Sequence, residues 1–329
     1  MSSEPQTARV TIPLGLRFNA LFERYMFIVI PAALIAGFLA SGPLQQFIPW
    51  VPGLFAYITL VMAWGCSFRS IRDELRHPAS MLLLFALAHI AAPLIAYGIG
   101  AAVFGAASPY VVGLVLFTAI PLGVSSAIWV GLSGGSVPWI LSLIVIDSLL
   151  SPAVVPLLVQ AFFGADIHVD GAGMMMKLLI IIVLPTAAGV ALCELSRGRI
   201  RAAAAPVAAP LSKLAFAAVV AINAAAIAPH ISALRQDMVR VIPAVVLLVA
   251  ACYALGLLGT YILPRTANPA NYTYASGMRN ISLGMVIGLA YFGPLAAVPV
   301  VLAILIQQPL ATANYWFLAY RAKREFTKP

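Results

Sequence analysis

Asn271-Tyr-Thr-Tyr-Ala-Ser-Gly-Met-Arg279-Asn280-Ile-Ser-Leu-Gly284 lies within an apolar stretch long enough to cross a bilayer, and its reading decides the fold. Ser276, Arg279, Asn280 and Ser282 fall within two helical turns, and Gly277 permits backbone that an intact helix does not use. A charge at mid-bilayer costs at least about 2.5–3.5 kcal/mol, so Arg279 is either paired or solvated in a cavity. Two readings stay open: a cation fixed at a transport site, or a bland one in which Arg279 lies nearer the membrane interface or is a structural partner of Asp147. Unwound backbone survives at membrane depth only against protein or a water-filled cavity.

A second interrupted stretch, Phe117-Thr-Ala-Ile-Pro121-Leu-Gly123-Val-Ser125-Ser126-Ala-Ile-Trp129, has the same character. Pro121 removes a backbone donor and clashes with the preceding turn. Gly123 tolerates unusual dihedrals, and the hydroxyls of Ser125 and Ser126 are placed to bond freed backbone groups. Paired interrupted helices in two halves of a chain point to a transporter's central site, where half-helix N-termini favour anions.

The composition around these stretches fits a bilayer. Of 329 residues, 63% are hydrophobic and 9% charged, against roughly 25% charged in a soluble domain. A soluble fold could not hide that apolar surface, because its exterior must stay largely polar. Ten spans can be read, each near the required length of about 20 residues: Tyr25–Ala40, Gly53–Phe68, Ala79–Phe104, Pro109–Leu132, Val137–Gln160, Met174–Leu195, Leu211–Pro229, Val239–Leu263, Asn271–Phe292 and Leu295–Tyr320. Residues 1–24 form a cytoplasmic N-terminal segment, 25–160 and 174–320 two five-helix halves, and 321–329 a basic cytoplasmic tail.

Charge placement orients these spans. With the N-terminus inside, fifteen of the 19 Lys and Arg residues fall on the inner side, among them Arg69, Arg72, Arg76, Arg197, Arg199, Arg201, Lys213, Arg321 and Lys323. Only Lys177, Arg235 and Arg240 fall outside, and Arg279 lies within a span. That bias follows the positive-inside rule, puts both termini in the cytoplasm, and implies a multi-pass protein of the cell (inner) membrane. It also accounts for the net charge of +9 without nucleic acid.

The two halves echo each other. Ile-Pro31 with Gly37 matches Leu-Pro185 with Gly189. Arg76-His-Pro78 matches Arg240-Val-Ile-Pro243, and Pro121-Leu-Gly123 matches Ser276-Gly277. Five spans per half is an odd number, so the second half would be inverted relative to the first.

Other polar residues within spans are few. Asp147 can be read as a proton carrier, a counter-ion to Arg279 or a helix–helix partner. His89 can be read as a hydrogen-bonded structural residue or a proton relay. Asn223, Gln307 and Gln308 read as inter-helix contacts or cavity lining. Cys66, Cys193 and Cys252 show no metal spacing and read as small apolar residues. No catalytic residue, metal ligand set or resident cofactor is expected. His-Glu-x-x-His is missing from the sequence, and Asp147 has no second aspartate deep within a span to pair with, which tells against an intramembrane enzyme.

Gly277-Met278-Arg279-Asn280 resembles the E-x-G-M-Q-N signature of the bile acid:sodium symporter family. Pro121-x-Gly123-x-x-Ser126 followed by Ser151-Pro152 is similar to that family's fourth-helix motif and later Ser-Pro. The resemblance implies an all-α membrane protein of ten transmembrane helices in two inverted five-helix repeats with broken helices four and nine. A core domain would comprise spans three to five and eight to ten, and a panel domain the others. It also implies a secondary transporter of small organic anions such as bile acids, steroid sulfates and pantoate, working by alternating access. The substrate would meet Gly123, Ser125, Ser126, Ser276, Gly277, Arg279, Asn280 and Ser282, with Asp147 and His89 in ion or proton coupling. The family's sodium-binding Glu falls at Ala275, its Gln at Arg279 and its fourth-helix Asn at Ala127, while the next helix offers Ile140 and Ile144. Arg279 would then stand in for sodium, making transport sodium-independent and coupled to H+ through Asp147; the alternative is a Na+-coupled organic-anion symporter with a rearranged ion site. The chain also resembles arsenite exporters in Trp129 and Asp147, but Ile120-Pro121-Leu122-Gly123 lacks their metalloid-binding Cys. A passive channel is a further alternative.

Overall fold

A computed structural model describes residues 13–76, 78–164, 170–230, 236–262 and 267–326. Of the basic residues used for orientation, Arg9, Arg235, Arg265 and Lys328 lie outside the described residues. Secondary structure among the described residues is helical, apart from one isolated antiparallel bridge between Leu122 and Arg279. In chain order the helices of more than five residues are α1 (Leu14–Arg24), α2 (Met26–Leu39), α3 (Val51–Ala63), α4 (Phe68–Leu75), α5 (Pro78–Phe104), α6 (Pro109–Ala119), α7 (Ser126–Leu132), α8 (Val137–Phe163), α9 (Gly171–Leu195), α10 (Arg199–Ile227), α11 (Met238–Ile262), α12 (Pro269–Gly277), α13 (Ile281–Phe292) and α14 (Pro294–Phe326).

Six of these, α5, α8, α9, α10, α11 and α14, are long and apolar enough to cross a membrane. A seventh candidate combines α1 with Ile28–Leu39 of α2 across an 81° bend. The sequence reading expected ten. The difference arises at the short and interrupted spans: α2 has 14 residues and α3 has 13, and at 1.5 Å per residue neither reaches the roughly 30 Å of the hydrocarbon layer alone. Span four divides into α6 and α7, and span nine into α12 and α13. Two boundaries also move. The Ala-rich run before Leu211 is helical from Arg199, as its high helix propensity favours. The tail expected from residue 321 continues α14 to Phe326.

Local chemistry explains where helices begin. Ser108 precedes Pro109 and accepts from the Tyr110 N–H. Asn268 precedes Pro269 and accepts from the Ala270 N–H at 2.9 Å. Asp170 caps α9 through the Gly173 N–H at 2.8 Å. Each is a capping side chain at a helix start, the first two followed by the one residue whose missing N–H is no loss there.

Two groups of helices pack largely among themselves. One comprises α1, α2, α3, α9 and α10, and the other α5 to α8 with α11 to α14. Contacts are close where glycine removes a side chain. A Cβ on Gly113 of α6 would stand 2.2 Å from the Ala296 carbonyl oxygen of α14. Small residues of this kind let membrane helices approach when lipid removes the hydrophobic drive to associate. Leu94, Leu157, Val239 and Leu247 remain exposed on the outside, as lipid-facing positions do. Gly113→Leu is expected to destabilise the protein by about 1–3 kcal/mol through overpacking, measured as a lower unfolding temperature in detergent.

Candidate functional site

Pro121 and Gly277 stop α6 and α12 in the interior, and the two extended breaks meet. Ile120, before Pro121, is extended (φ −66°, ψ 153°), as a residue preceding proline prefers. Met278 is extended as well (φ −114°, ψ 122°). The Gly123 N–H donates to the Met278 carbonyl at 2.9 Å, and the Asn280 N–H donates to the Pro121 carbonyl at 2.8 Å. Each break thereby satisfies the other's backbone, which lipid could not do. A Cβ on Gly123 would lie 2.7 Å from the Arg279 carbonyl oxygen, so only glycine permits this approach.

Arg279 is 1% exposed. Its Nη2 donates to the Ala88 carbonyl at 2.9 Å and its Nη1 to the Ile120 carbonyl at 3.4 Å. Both acceptors are available because their own helices do not use them. In α5 a single π turn over Leu87–Ala91 sends the Ala92 N–H back to Leu87. The next residue is Pro93, which has no N–H, so the Ala88 carbonyl is left for another donor. Ile120 follows the last turn of α6, where the negative end of the helix dipole favours a cation.

Asp147 of α8 does not bond to the guanidinium. Its Oδ2 accepts the Leu122 N–H at 2.7 Å, and its Oδ1 lies 2.8 Å from His89 Nε2. Asp147 and His89 therefore form a buried pair behind the crossing, one residue from the Ala88 carbonyl that holds Arg279. Of the alternatives for Asp147, direct pairing with Arg279 is replaced by this arrangement. Gln307 of α14 accepts the Arg279 N–H at 2.8 Å, and Gln308 accepts from Trp129 Nε1 at 3.0 Å. One helix thus clamps both broken spans.

A cavity of about 290 Å³ opens between the two helix groups, with the crossing in its wall. Of the sequence-predicted residues, Gly123, Ser125, Arg279, Asn280 and Ser282 line it. Ser126, Ser276 and Gly277 do not. The Ser126 hydroxyl donates to the Gly123 carbonyl at 2.6 Å, Ser276 is fully buried, and the Tyr253 ring packs where a Gly277 side chain would be. Arg279 reaches the wall with almost none of its surface, its guanidinium being held by carbonyls. Sequence reasoning missed Asn19, Glu23 and Lys213, which also line the cavity. Lys213 was legible only as an inner-side charge, and the packing of α1 on α10 is a tertiary fact.

The profile of the Sodium Bile acid symporter family matches residues 51–234. An uncharacterised protein of Bacillus subtilis, YbaS, is 35% identical over 85% of this chain and 92% of its own length. The chain belongs to the Sodium Bile acid symporter family. It is also similar to YocS of Bacillus subtilis, described as an uncharacterised sodium-dependent transporter, at 27% identity over 75% of this chain and 79% of YocS. A third relative is BASS1 of Arabidopsis thaliana, described as a probable chloroplastic sodium/metabolite cotransporter. It is 27% identical over 73% of this chain and 59% of its own length. As a family member, the chain is a multi-pass membrane transporter of a small organic solute and not an enzyme.

The seating of Arg279 sets its mutational behaviour. Arg279→Ala removes two charge-assisted bonds and leaves two buried carbonyls without donors, so a loss of about 2–5 kcal/mol is expected. Thermal unfolding of the purified protein measures it. Arg279→Ala that unfolds like the wild type would place the guanidinium elsewhere.

Proposed function

We propose that this protein is a secondary carrier of a small organic anion that works by alternating access, needs no sodium, and couples to protons through Asp147 and His89. The observation carrying this reading is the guanidinium at the crossing. Where the family resemblance calls for oxygen ligands, the chain has Ala275, Ala127, Ile140 and Ile144, side chains that cannot ligate a hard cation. Arg279 supplies the positive charge there instead, on carbonyls a cation would otherwise seek.

Proton coupling has a physical route. An ionised Asp147 accepts the Leu122 N–H. A proton on Oδ2 turns that oxygen towards donating, weakens the bond, and loosens the crossing on the face opposite the cavity.

Several paired features support ten spans in two inverted repeats. The reciprocal bonds at the crossing are one. A Cβ on Gly37 of α2 would stand 2.2 Å from the Ala221 carbonyl oxygen of α10, and one on Gly189 of α9 would stand 2.4 Å from that of Leu60 of α3. First against seventh and sixth against second are equivalent contacts if the halves repeat. Gly100 against α6 and Gly256 against α12 form a second such pair. The helix groups divided by the cavity would be panel and core, rocking about the crossing. The charge bias supports a cell-membrane protein with both termini cytoplasmic.

The sodium dependence in the descriptions of YocS and BASS1 favours a second reading, a sodium-coupled symporter with a rearranged ion site. A thermal-shift screen of the purified protein against cholate, oestrone sulfate, pantoate and pyruvate, with and without sodium, begins the test. Stabilisation by at least one anion, equal in sodium and in choline, is expected. Uptake into proteoliposomes should then follow an imposed proton gradient in the wild type but not in Asp147→Asn. Uptake that rises several-fold on adding sodium, at fixed proton gradient and voltage, would favour the second reading and overturn the first.

A further inference from the structure

An organic anion in the cavity needs a cation it can touch, and Arg279 is turned away. Among the described lining residues the other cation is Lys213, on α10. Its Nζ lies 2.9 Å from Glu23 Oε1 of α1, and the two side chains are 22% and 30% exposed. Asn19 Nδ2 donates to the same Glu23 oxygen at 3.1 Å.

We propose that Lys213 takes the acidic group of the transported anion, and that Glu23 is the internal carboxylate it holds while the cavity is empty. This rests on the organic-anion reading above. The exchange conserves charge at the ammonium: one carboxylate leaves it and another carboxylate, or a sulfate ester, replaces it. A partly solvated ion pair has little net free energy to lose, because water screens both the pair and its separated ions. The partner swap is therefore cheap, whereas a fully buried pair would resist it.

The surrounding wall defines the rest of the ligand. Met26, Ile30, Phe55 and Phe216 line the same cavity and fit an apolar body. At the crossing, Ser282 Oγ is buried and without a hydrogen-bond partner among the described residues, which suits a hydroxyl or amide on the ligand. The chemistry selected is an amphipathic acid with a second polar group, and an uncharged ester or an amine is disfavoured. Glu23 and Lys213 come from different helices, so loading the anion also frees α1 from α10 at this point.

The four screened anions are the probes, each compared with its methyl ester where it is a carboxylate. Lys213→Gln is expected to raise the dissociation constant of each bound anion about tenfold or more, a loss of one charge-assisted contact, and to abolish the preference for acid over ester. Lys213→Arg should stay close to the wild type. Glu23→Gln should bind several-fold more tightly, because the competing carboxylate is gone, and Glu23→Gln with Lys213→Gln should behave like Lys213→Gln. Retained acid-over-ester preference in Lys213→Gln overturns the assignment alone. So does equal weakening by Glu23→Gln and Lys213→Gln, which marks a merely structural pair. A wild-type protein that binds none of the four overturns the anion-carrier reading and this assignment together. If Lys213→Gln does not fold, Glu23→Gln decides: tighter binding supports the assignment, and unchanged or weaker binding overturns it.

Discussion

Two stretches of extended backbone meet deep in a helical protein, and each supplies the hydrogen bonds the other lacks. The remaining architecture answers that constraint. Polar backbone in the interior has no water to fall back on, so the breaks at Pro121 and Gly277 are tolerable only as a pair. Gly123 lets them touch, Gln307 holds the Arg279 strand from α14, and Asp147 holds Leu122 from α8. Arg279 then places one positive charge at the junction, on carbonyls released by the π turn in α5 and by the end of α6.

That junction forms one wall of a cavity whose other wall comes from a separate group of helices. Such an arrangement separates two tasks. The guanidinium, Asp147 and His89 lie behind the wall, bonded to the two breaks, to Ala88 or to one another. The cavity side presents short polar groups at the crossing, apolar side chains along the walls, and the Glu23–Lys213 pair. A positive charge that never leaves the protein and one that can change partners do different work, although a count of basic residues treats them alike.

Much of this was legible in the residues. Pro121 and Gly123 announced a break, Ser276-Gly277 announced its counterpart, and an arginine inside an apolar stretch announced that the breaks were packed against something polar. The span count was less legible, because α2 and α3 are short and the broken helices do not qualify as single spans by length. Among the site residues, Gly123, Ser125, Asn280 and Ser282 line the cavity as their position at the breaks suggested. Ser126, Ser276 and Gly277 face away from the cavity, because the side of each half-helix that meets it is set by packing that composition does not specify.

The sequence by itself determined a membrane protein, its family, and the two places where its helices break, since these follow from apolar run length, proline and glycine chemistry, and motif. Only the tertiary structure decided what each charge faces. Whether Asp147 meets Arg279 or His89, and whether Lys213 points to solvent or to Glu23, depends on which helices become neighbours and on their rotation. Those are properties of packing between segments far apart in the chain, and no local pattern encodes them.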